Sequence, residues 1–223
     1  MKPGMRSITI AGPAGKLEGV VHLQEACAEH GRSACAEHGR SSEPRAIAVV
    51  AHPLTTMGGT MDNKIVTTLS KTFAELGFAA LRFNFRGAGD SEGAFEEGDG
   101  EVEDALAAVE HMKDEFGHLP LILSGFSFGG YVQARAAERL HPKPHKLVLI
   151  APAVVRFAMP HVPHNTLLIH GEEDEVIPLS DALDWARPQH LPIVVLPEAG
   201  HFFHGRLNQI KQIVLHEFNG CDL

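Results

Sequence analysis

Residues 121–129, with the sequence LILSGFSFG, decide which fold we predict for this chain. The segment begins as an apolar run of strand length and ends in the pattern G-x-S-x-G at 125–129. A serine in this pattern lies on a sharp turn between a strand and a helix, and the flanking glycines permit the close backbone packing that the turn needs. Because a helix is predicted over 128–140, the motif has the strand–turn–helix context that makes it informative.

Ser127 is therefore the predicted nucleophile. Its position at a helix N-terminus favours the negative charge that develops on a reacting carbonyl oxygen. A serine hydroxyl is a weak nucleophile at neutral pH, so a base has to lie within hydrogen-bond reach. The neighbouring Ser124 lies inside the strand and outside the motif, and we interpret it as structural.

The rest of the chain alternates strands and helices. Predicted strands cover 46–51, 79–85, 121–124, 146–151, 166–170 and 193–196, and predicted helices cover 62–76, 99–115, 128–140 and 207–218. This alternation is typical of a mainly parallel sheet with helices on both faces, here the α/β-hydrolase fold, to which a hairpin at 7–23 adds antiparallel edge strands. Only residues 152–165 separate two strands where a lid would be inserted, so we predict no cap domain. We expect residues 1–223 to form one domain.

The predicted base and acid follow the last two strands of the sheet. His201 comes just after the strand at 193–196, where the carboxyl ends of parallel strands place a site, and its competitor His204 lies farther along the loop. A carboxylate has to hold such a base in one tautomer. Four consecutive acidic residues at 172–175 follow the strand at 166–170, and the chain order serine, acid, histidine is the one this fold uses. The pattern itself does not choose among the four acids.

Stabilisation of an oxyanion requires two backbone N–H groups. One candidate is the amide of Phe128, directly after the nucleophile. The other is expected in the loop that begins His52-Pro53-Leu54, where we predict Leu54 as the donor.

Longer strings in the chain resemble a family of small bacterial α/β-hydrolases, of the uncapped serine esterase-like or dienelactone-hydrolase-like type. The matching segments are HP at 52–53, GGTMDNK at 58–64, RFNFRG at 82–87, GFSFGG at 125–130, HG at 170–171 with Asp174 and Pro178, and AGHFFH at 199–204. The resemblance implies that Asp174 is the acid, that His201 is the base and that the chemistry is hydrolysis. The family usually continues its first HP with a second one, whereas Leu54 and Thr55 stand here. This departure concerns the oxyanion loop and the substrate preference rather than the triad.

The composition argues against several classes of function. A formal net charge of −9, from 28 acidic and 19 basic residues, argues against a nucleic-acid-binding surface. The longest apolar runs are of strand length and far too short to cross a bilayer, and residues 1–10 lack the apolar region of a secretory signal. Three cysteines do not make a disulfide framework. We therefore expect a cytoplasmic protein with reduced thiols and with neither a nucleic-acid nor a membrane partner.

A tandem duplication follows the hairpin. The octapeptide ACAEHGRS at 26–33 recurs letter for letter at 34–41, and two copies are too few for a stacked repeat fold. We interpret the duplicated segment, 26–41, as a loop insertion. The alternative is a metal-binding role, because the duplication creates four residues of types that bind zinc. They are Cys27, His30, Cys35 and His38.

We predict hydrolysis of carboxylic esters with small or short acyl groups, without a metal or an organic cofactor and with a small-molecule ester as the partner. In this reaction Ser127 forms an acyl-enzyme while His201 transfers protons. A thioesterase or an amide or peptide hydrolase on the same residues is the nearest alternative. A non-catalytic binding protein that kept the fold is the alternative from another class. The sequence predicts no particular oligomeric state.

Overall fold

The computed structural model describes residues 4–24 and 43–219. The duplication at 26–41 lies outside these ranges, so its role as a loop insertion or a metal site stays a prediction. The strands are β1 Met5–Gly12, β2 Gly15–His22, β3 Ile47–Ala51, β4 Ala79–Phe83, β5 Leu121–Phe126, β6 Lys146–Ile150, β7 Leu167–Gly171 and β8 Val194–Leu196, and the α-helices are α1 Lys64–Glu75, α2 Asp99–Phe116, α3 Phe128–Arg139, α4 Leu179–Ala186 and α5 Leu207–Phe218. None of the helices in the described ranges is long and apolar enough to span a membrane.

The eight strands of the described ranges form one sheet in the order β1-β2-β4-β3-β5-β6-β7-β8. β2 pairs antiparallel with both β1 and β4, while every other pairing is parallel. The predicted α/β-hydrolase fold with an antiparallel hairpin at one edge is thereby confirmed. Because the parallel strands share one direction, their carboxyl ends meet along one edge, and the loops after β3, β5, β7 and β8 carry the predicted site residues there.

Apolar layers cover both faces of the sheet. Alternate residues of β3 point to opposite faces, so Ile47 and Val49 pack in the layer of α2 and α3, whereas Ala48 and Val50 pack in the layer of α1 and α5. All four residues are fully buried. The strands are therefore held on both sides by close-packed side chains, which gives the loops at their ends a rigid base.

The strand β5 is longer than the sequence predicts. The predicted strand ends at Ser124, but Gly125 and Phe126 continue the parallel pairing with Leu149 and Ile150 of β6. This pairing partner is distant in the chain and is not visible in the local pattern. As a consequence, Ser127 follows the last paired residue of the strand directly.

The helix α4 is absent from the sequence prediction. Its apolar residues recur at helical spacing, at Leu179, Ala182, Leu183 and Ala186. The helix is only 8 residues long, which is shorter than the window over which such periodicity is informative.

Candidate active site

Ser127 occupies the turn between β5 and α3 in a strained backbone conformation. Its φ is 54° and its ψ is −116°, a region that residues other than glycine rarely adopt. The turn can close because Gly125 and Gly129, two residues before and after Ser127, have no Cβ. A Cβ on Gly125 would lie 2.2 Å from Gly129 O, and a Cβ on Gly129 would lie 2.4 Å from Ala51 O. The glycines of the G-x-S-x-G motif are thus required by backbone contact.

Three sequence-predicted residues come together in one hydrogen-bonded chain. Ser127 Oγ lies 3.2 Å from His201 Nε2, and His201 Nδ1 lies 2.8 Å from Asp174 Oδ2. All three residues are buried. Since an ionised carboxylate can only accept, His201 Nδ1 carries the proton of that contact, which leaves Nε2 free to accept from the serine hydroxyl.

The competing residues lie outside this chain of contacts. His204 is exposed, and its ring contacts that of Phe202. Ser124 donates its hydroxyl proton to Val148 O at 3.0 Å inside the sheet. Neither side chain is a member of the hydrogen-bonded chain that begins at Ser127.

Asp174 is the buried member of its acidic run. Its Oδ1 accepts hydrogen bonds from the amides of Val176 and Ile177 at 2.9 and 2.7 Å. Burial alone would raise the pKa of Asp174, but the hydrogen bonds from His201 and from these amides outweigh it and hold the pKa below its ordinary value. Asp174 is therefore ionised at neutral pH, as an orienting acid has to be.

Two exposed acids of the same run connect the loop after β7, which carries Asp174, to the loop after β8, which carries His201. Glu175 Oε2 accepts from the His201 amide at 3.1 Å, and Glu172 Oε2 accepts from the Glu198 amide at 3.0 Å. Acidic runs on a surface are usually solvated, and the sequence alone suggests no such role. These carboxylates hold the loop after β8 against the loop after β7, which supports the contact between Asp174 and His201.

A second histidine, His170, approaches the same carboxylate, and sequence reasoning does not single it out. Its Nε2 lies 2.9 Å from Ile177 O and 3.5 Å from Asp174 Oδ2. Burial lowers the pKa of His170, so its ring is neutral at pH 7 and donates from Nε2 to the Ile177 carbonyl. This contact anchors the turn that presents Asp174.

The two predicted oxyanion donors line the cleft that contains Ser127. Within the described ranges, the amides of Leu54 and Phe128 donate to no other group. Both are therefore available to an oxygen bound beside the serine. The Phe128 amide also belongs to the first turn of α3, where the helix dipole favours negative charge.

His52 fixes the direction of one of these donors. Its Nε2 accepts from the Phe85 amide at 3.0 Å, so its Nδ1 carries the ring proton and donates to Pro53 O at 2.6 Å. The Pro53 carbonyl and the Leu54 N–H belong to one trans peptide, in which the two groups point in opposite directions. Holding the carbonyl therefore aims the N–H.

Acid is expected to break the contact between His52 and the Phe85 amide, because a proton on Nε2 removes the acceptor while Nδ1 still donates to Pro53 O. Burial lowers the pKa of His52 to about 4, from the ordinary value of 6.5 that applies in the unfolded chain. Between these values the unfolded chain binds a proton that the folded chain does not, so the free energy of unfolding rises with pH. The contribution of His52 is fully present above pH 6.5, amounts to about 3 kcal/mol, and is lost as the pH falls toward 4.

The variant His52→Asn tests this expectation, because asparagine keeps a donor toward Pro53 O and does not titrate. Urea unfolding measured at neutral pH and near the lowered pKa should show a smaller loss of stability in the variant than in the wild type. Part of the loss should persist, since burial also lowers the pKa of His22 to about 4. An equal loss in both proteins would contradict a buried, neutral His52.

The cleft over Ser127 is small and largely apolar. Its volume is ≈ 470 Å³, which is in the lower part of the range for ligand pockets. Four exposed apolar side chains form its rim, namely Met57, Val155, Val176 and Phe202. Arg156 is the one permanently charged side chain among the described residues that line it. An apolar substrate group that lies against the serine is therefore removed from water, which favours its binding.

Comparisons with known proteins place the chain among the α/β serine hydrolases. The family model described as serine aminopeptidase, S33 (Hydrolase_4) matches residues 42–164. The solved structure of XC6422 from Xanthomonas campestris, an α/β serine hydrolase without a lid, is 34% identical, covers 98% of this chain and 95% of its own, and has a TM-score of 0.85. The uncharacterized protein RP471 of Rickettsia prowazekii is 27% identical over 94% of this chain and 87% of its own length. The lysophosphatidylserine lipase ABHD12 of Danio rerio is 28% identical over 49% of this chain and 39% of its own length.

Proposed function

Because the chain belongs to the serine aminopeptidase S33 family of α/β serine hydrolases, we propose that it hydrolyses carboxylic esters through an acyl-enzyme on Ser127. The observation that carries this proposal is the hydrogen-bonded chain of Ser127, His201 and Asp174, which opens into an apolar cleft. A serine, a histidine able to accept its proton and an ionised carboxylate behind that histidine are the groups that acyl transfer needs.

In the proposed reaction Ser127 Oγ attacks the ester carbonyl carbon while His201 Nε2 takes the hydroxyl proton. The charge that develops on the carbonyl oxygen faces the amides of Leu54 and Phe128, and Asp174 stabilises the imidazolium. The bond to the alcohol oxygen then breaks, and His201 gives its proton to the leaving alcohol. A water molecule, deprotonated by His201, attacks the acyl-enzyme, releases the carboxylic acid and restores the serine.

Ester cleavage fits the cleft better than the aminopeptidase activity in the family's description. An aminopeptidase has to bind the α-ammonium group of its substrate, for which a carboxylate is the natural partner. Among the described residues no carboxylate lines the cleft, and its permanently charged side chain, Arg156, is a cation that repels an ammonium group. The related protein ABHD12 carries the name of a lipase, a class of enzymes that cleave carboxylic esters.

We expect the protein to hydrolyse p-nitrophenyl butyrate with a higher kcat/KM than p-nitrophenyl palmitate, and to leave leucine p-nitroanilide intact. The reason is the small volume of the cleft, ≈ 470 Å³, together with its apolar rim and its lack of a lining acid among the described residues. Initial rates on the three compounds, measured with one enzyme preparation, check this.

A butyryl thioester measured beside them separates the two nearest activities. A thioester rate far above the ester rate would replace the proposal by a thioesterase. Cleavage of the anilide without cleavage of the esters would establish the aminopeptidase instead.

A further inference from the structure

Arg156 is a cation of the cleft that has no acidic partner among the residues that the structure describes. It lies in the loop after β6, is exposed, and lines the cleft that contains Ser127. No carboxylate of the described residues lies within 4.0 Å of its side-chain nitrogens. Other arginines of those residues do pair with carboxylates, namely Arg6, Arg82, Arg86, Arg135, Arg139, Arg187 and Arg206. The guanidinium of Arg156 is thus available to a bound anion.

Aromatic contacts hold this cation at the wall of the cleft. The guanidinium carbon of Arg156 lies 5.9 Å from the centre of the Phe157 ring. Phe157 in turn stacks on Tyr131 at 4.7 Å and lies 5.1 Å from the ring of Phe128. A cation over an aromatic face is attracted by the ring, which restrains the arginine side chain. Through Phe157, Arg156 is therefore connected to Phe128, whose amide is a proposed oxyanion donor.

Arg156 and His201 contact aromatic residues that belong to opposite apolar layers of the sheet. Phe157, which Arg156 contacts, packs in the apolar layer of α2 and α3. The ring of His201 lies 4.9 Å from Phe126, which belongs to the layer of α1 and α5. In the proposed reaction the leaving alcohol lies beside His201, which protonates it. An acyl group that extends away from His201 is directed toward the part of the cleft lined by Phe157 and Arg156.

We infer that Arg156 binds a carboxylate at the far end of the acyl group, so that the preferred substrates are half-esters of short dicarboxylic acids. This inference rests on the proposed ester hydrolysis. A guanidinium offers two parallel N–H groups to a carboxylate, a stronger contact than a neutral hydrogen bond. The chain as a whole carries a formal charge of −9 and repels anions, so the attraction has to come from within the cleft.

Two esters of equal chain length test this inference. Mono-p-nitrophenyl glutarate carries a carboxylate where p-nitrophenyl pentanoate carries a methyl group. We expect the wild type to have the higher kcat/KM on the glutarate ester, after subtraction of its uncatalysed hydrolysis. We expect Arg156→Gln to lower that value roughly tenfold and to lower the pentanoate value far less.

Two further variants serve as controls. Arg156→Lys should recover part of the loss on the glutarate ester, because it restores the charge without the planar fork. Arg187→Gln removes an exposed arginine outside the cleft and should change neither value.

The outcomes distinguish this inference from the proposed function. If Arg156→Gln lowers both esters equally, or if the wild type shows no preference for glutarate, Arg156 does not bind the acyl carboxylate and ester hydrolysis still stands. If Arg156→Gln lowered kcat/KM on 3-carboxyphenyl butyrate instead of on the glutarate ester, the carboxylate that Arg156 binds would belong to the alcohol part of the substrate. That result would overturn the assignment to the acyl group. Hydrolysis of none of these esters would instead remove the proposed function.

Discussion

Replacing Ser127 by alanine is expected to lower kcat for p-nitrophenyl butyrate by about 10³-fold or more. The serine oxygen is the atom that becomes acylated, so no other member of the hydrogen-bonded chain can take its place. Alanine keeps a Cβ at φ 54°, so the backbone strain of the turn, about 1 to 3 kcal/mol, is the same in both proteins. Parallel thermal unfolding should therefore show nearly equal stability while the ester assay shows the loss.

The variant Ser124→Ala is the matched control. It removes a hydroxyl from β5, the strand that precedes Ser127, where Ser124 donates to Val148 O inside the sheet. We expect a stability loss of about 1 kcal/mol and an unchanged kcat. Equal turnover by Ser127→Ala and the wild type would show that Ser127 is not the nucleophile for these esters.

Replacing Asp174 by asparagine is the second large loss that we expect, about 10⁴-fold in kcat. The asparagine oxygen can still accept from the amides of Val176 and Ile177. Its NH₂ group then faces His201 Nδ1 as a donor, so the ring proton moves to Nε2. A histidine that is protonated at Nε2 cannot take the proton of Ser127.

The exposed Glu173 offers a control for charge in the same loop, through Glu173→Gln. We expect this variant to keep the wild-type kcat. The loss in Asp174→Asn should lie in kcat rather than in KM, because neither the carboxylate nor its replacement touches the substrate. A wild-type kcat in Asp174→Asn would mean that this carboxylate does not orient His201.

Much of the fold could be predicted from the sequence because its signals are local. The helix predicted over 207–218 has those bounds in the structure, and the buried strand predicted over 46–51 differs by one residue. The family resemblance based on the glycine-rich and serine motifs is also confirmed. The end of β5 could not be predicted, since it depends on pairing with β6, which is distant in the chain.

The candidate site could be predicted only in part. Ser127 and His201 each follow the end of a strand in a recognisable string, whereas the residue pattern could not choose Asp174 from its acidic run. Burial and the two amides that it accepts distinguish that carboxylate in the folded chain. The role of His52 depends on the Phe85 amide, 33 residues away, and the position of Arg156 on the cleft wall depends on tertiary packing. Such contacts leave no signal in the local pattern.

Covalent labelling is the measurement that tests an acyl-transferring Ser127 most directly. The wild type and Ser127→Ala would be incubated with diisopropyl fluorophosphate, digested and mapped by mass spectrometry. We predict one adduct per wild-type chain, on the peptide that contains Ser127, with loss of ester turnover in proportion to labelling, and no adduct in the variant. Full turnover in a protein labelled at Ser127, or the same adduct on another residue in both proteins, would contradict the proposed mechanism.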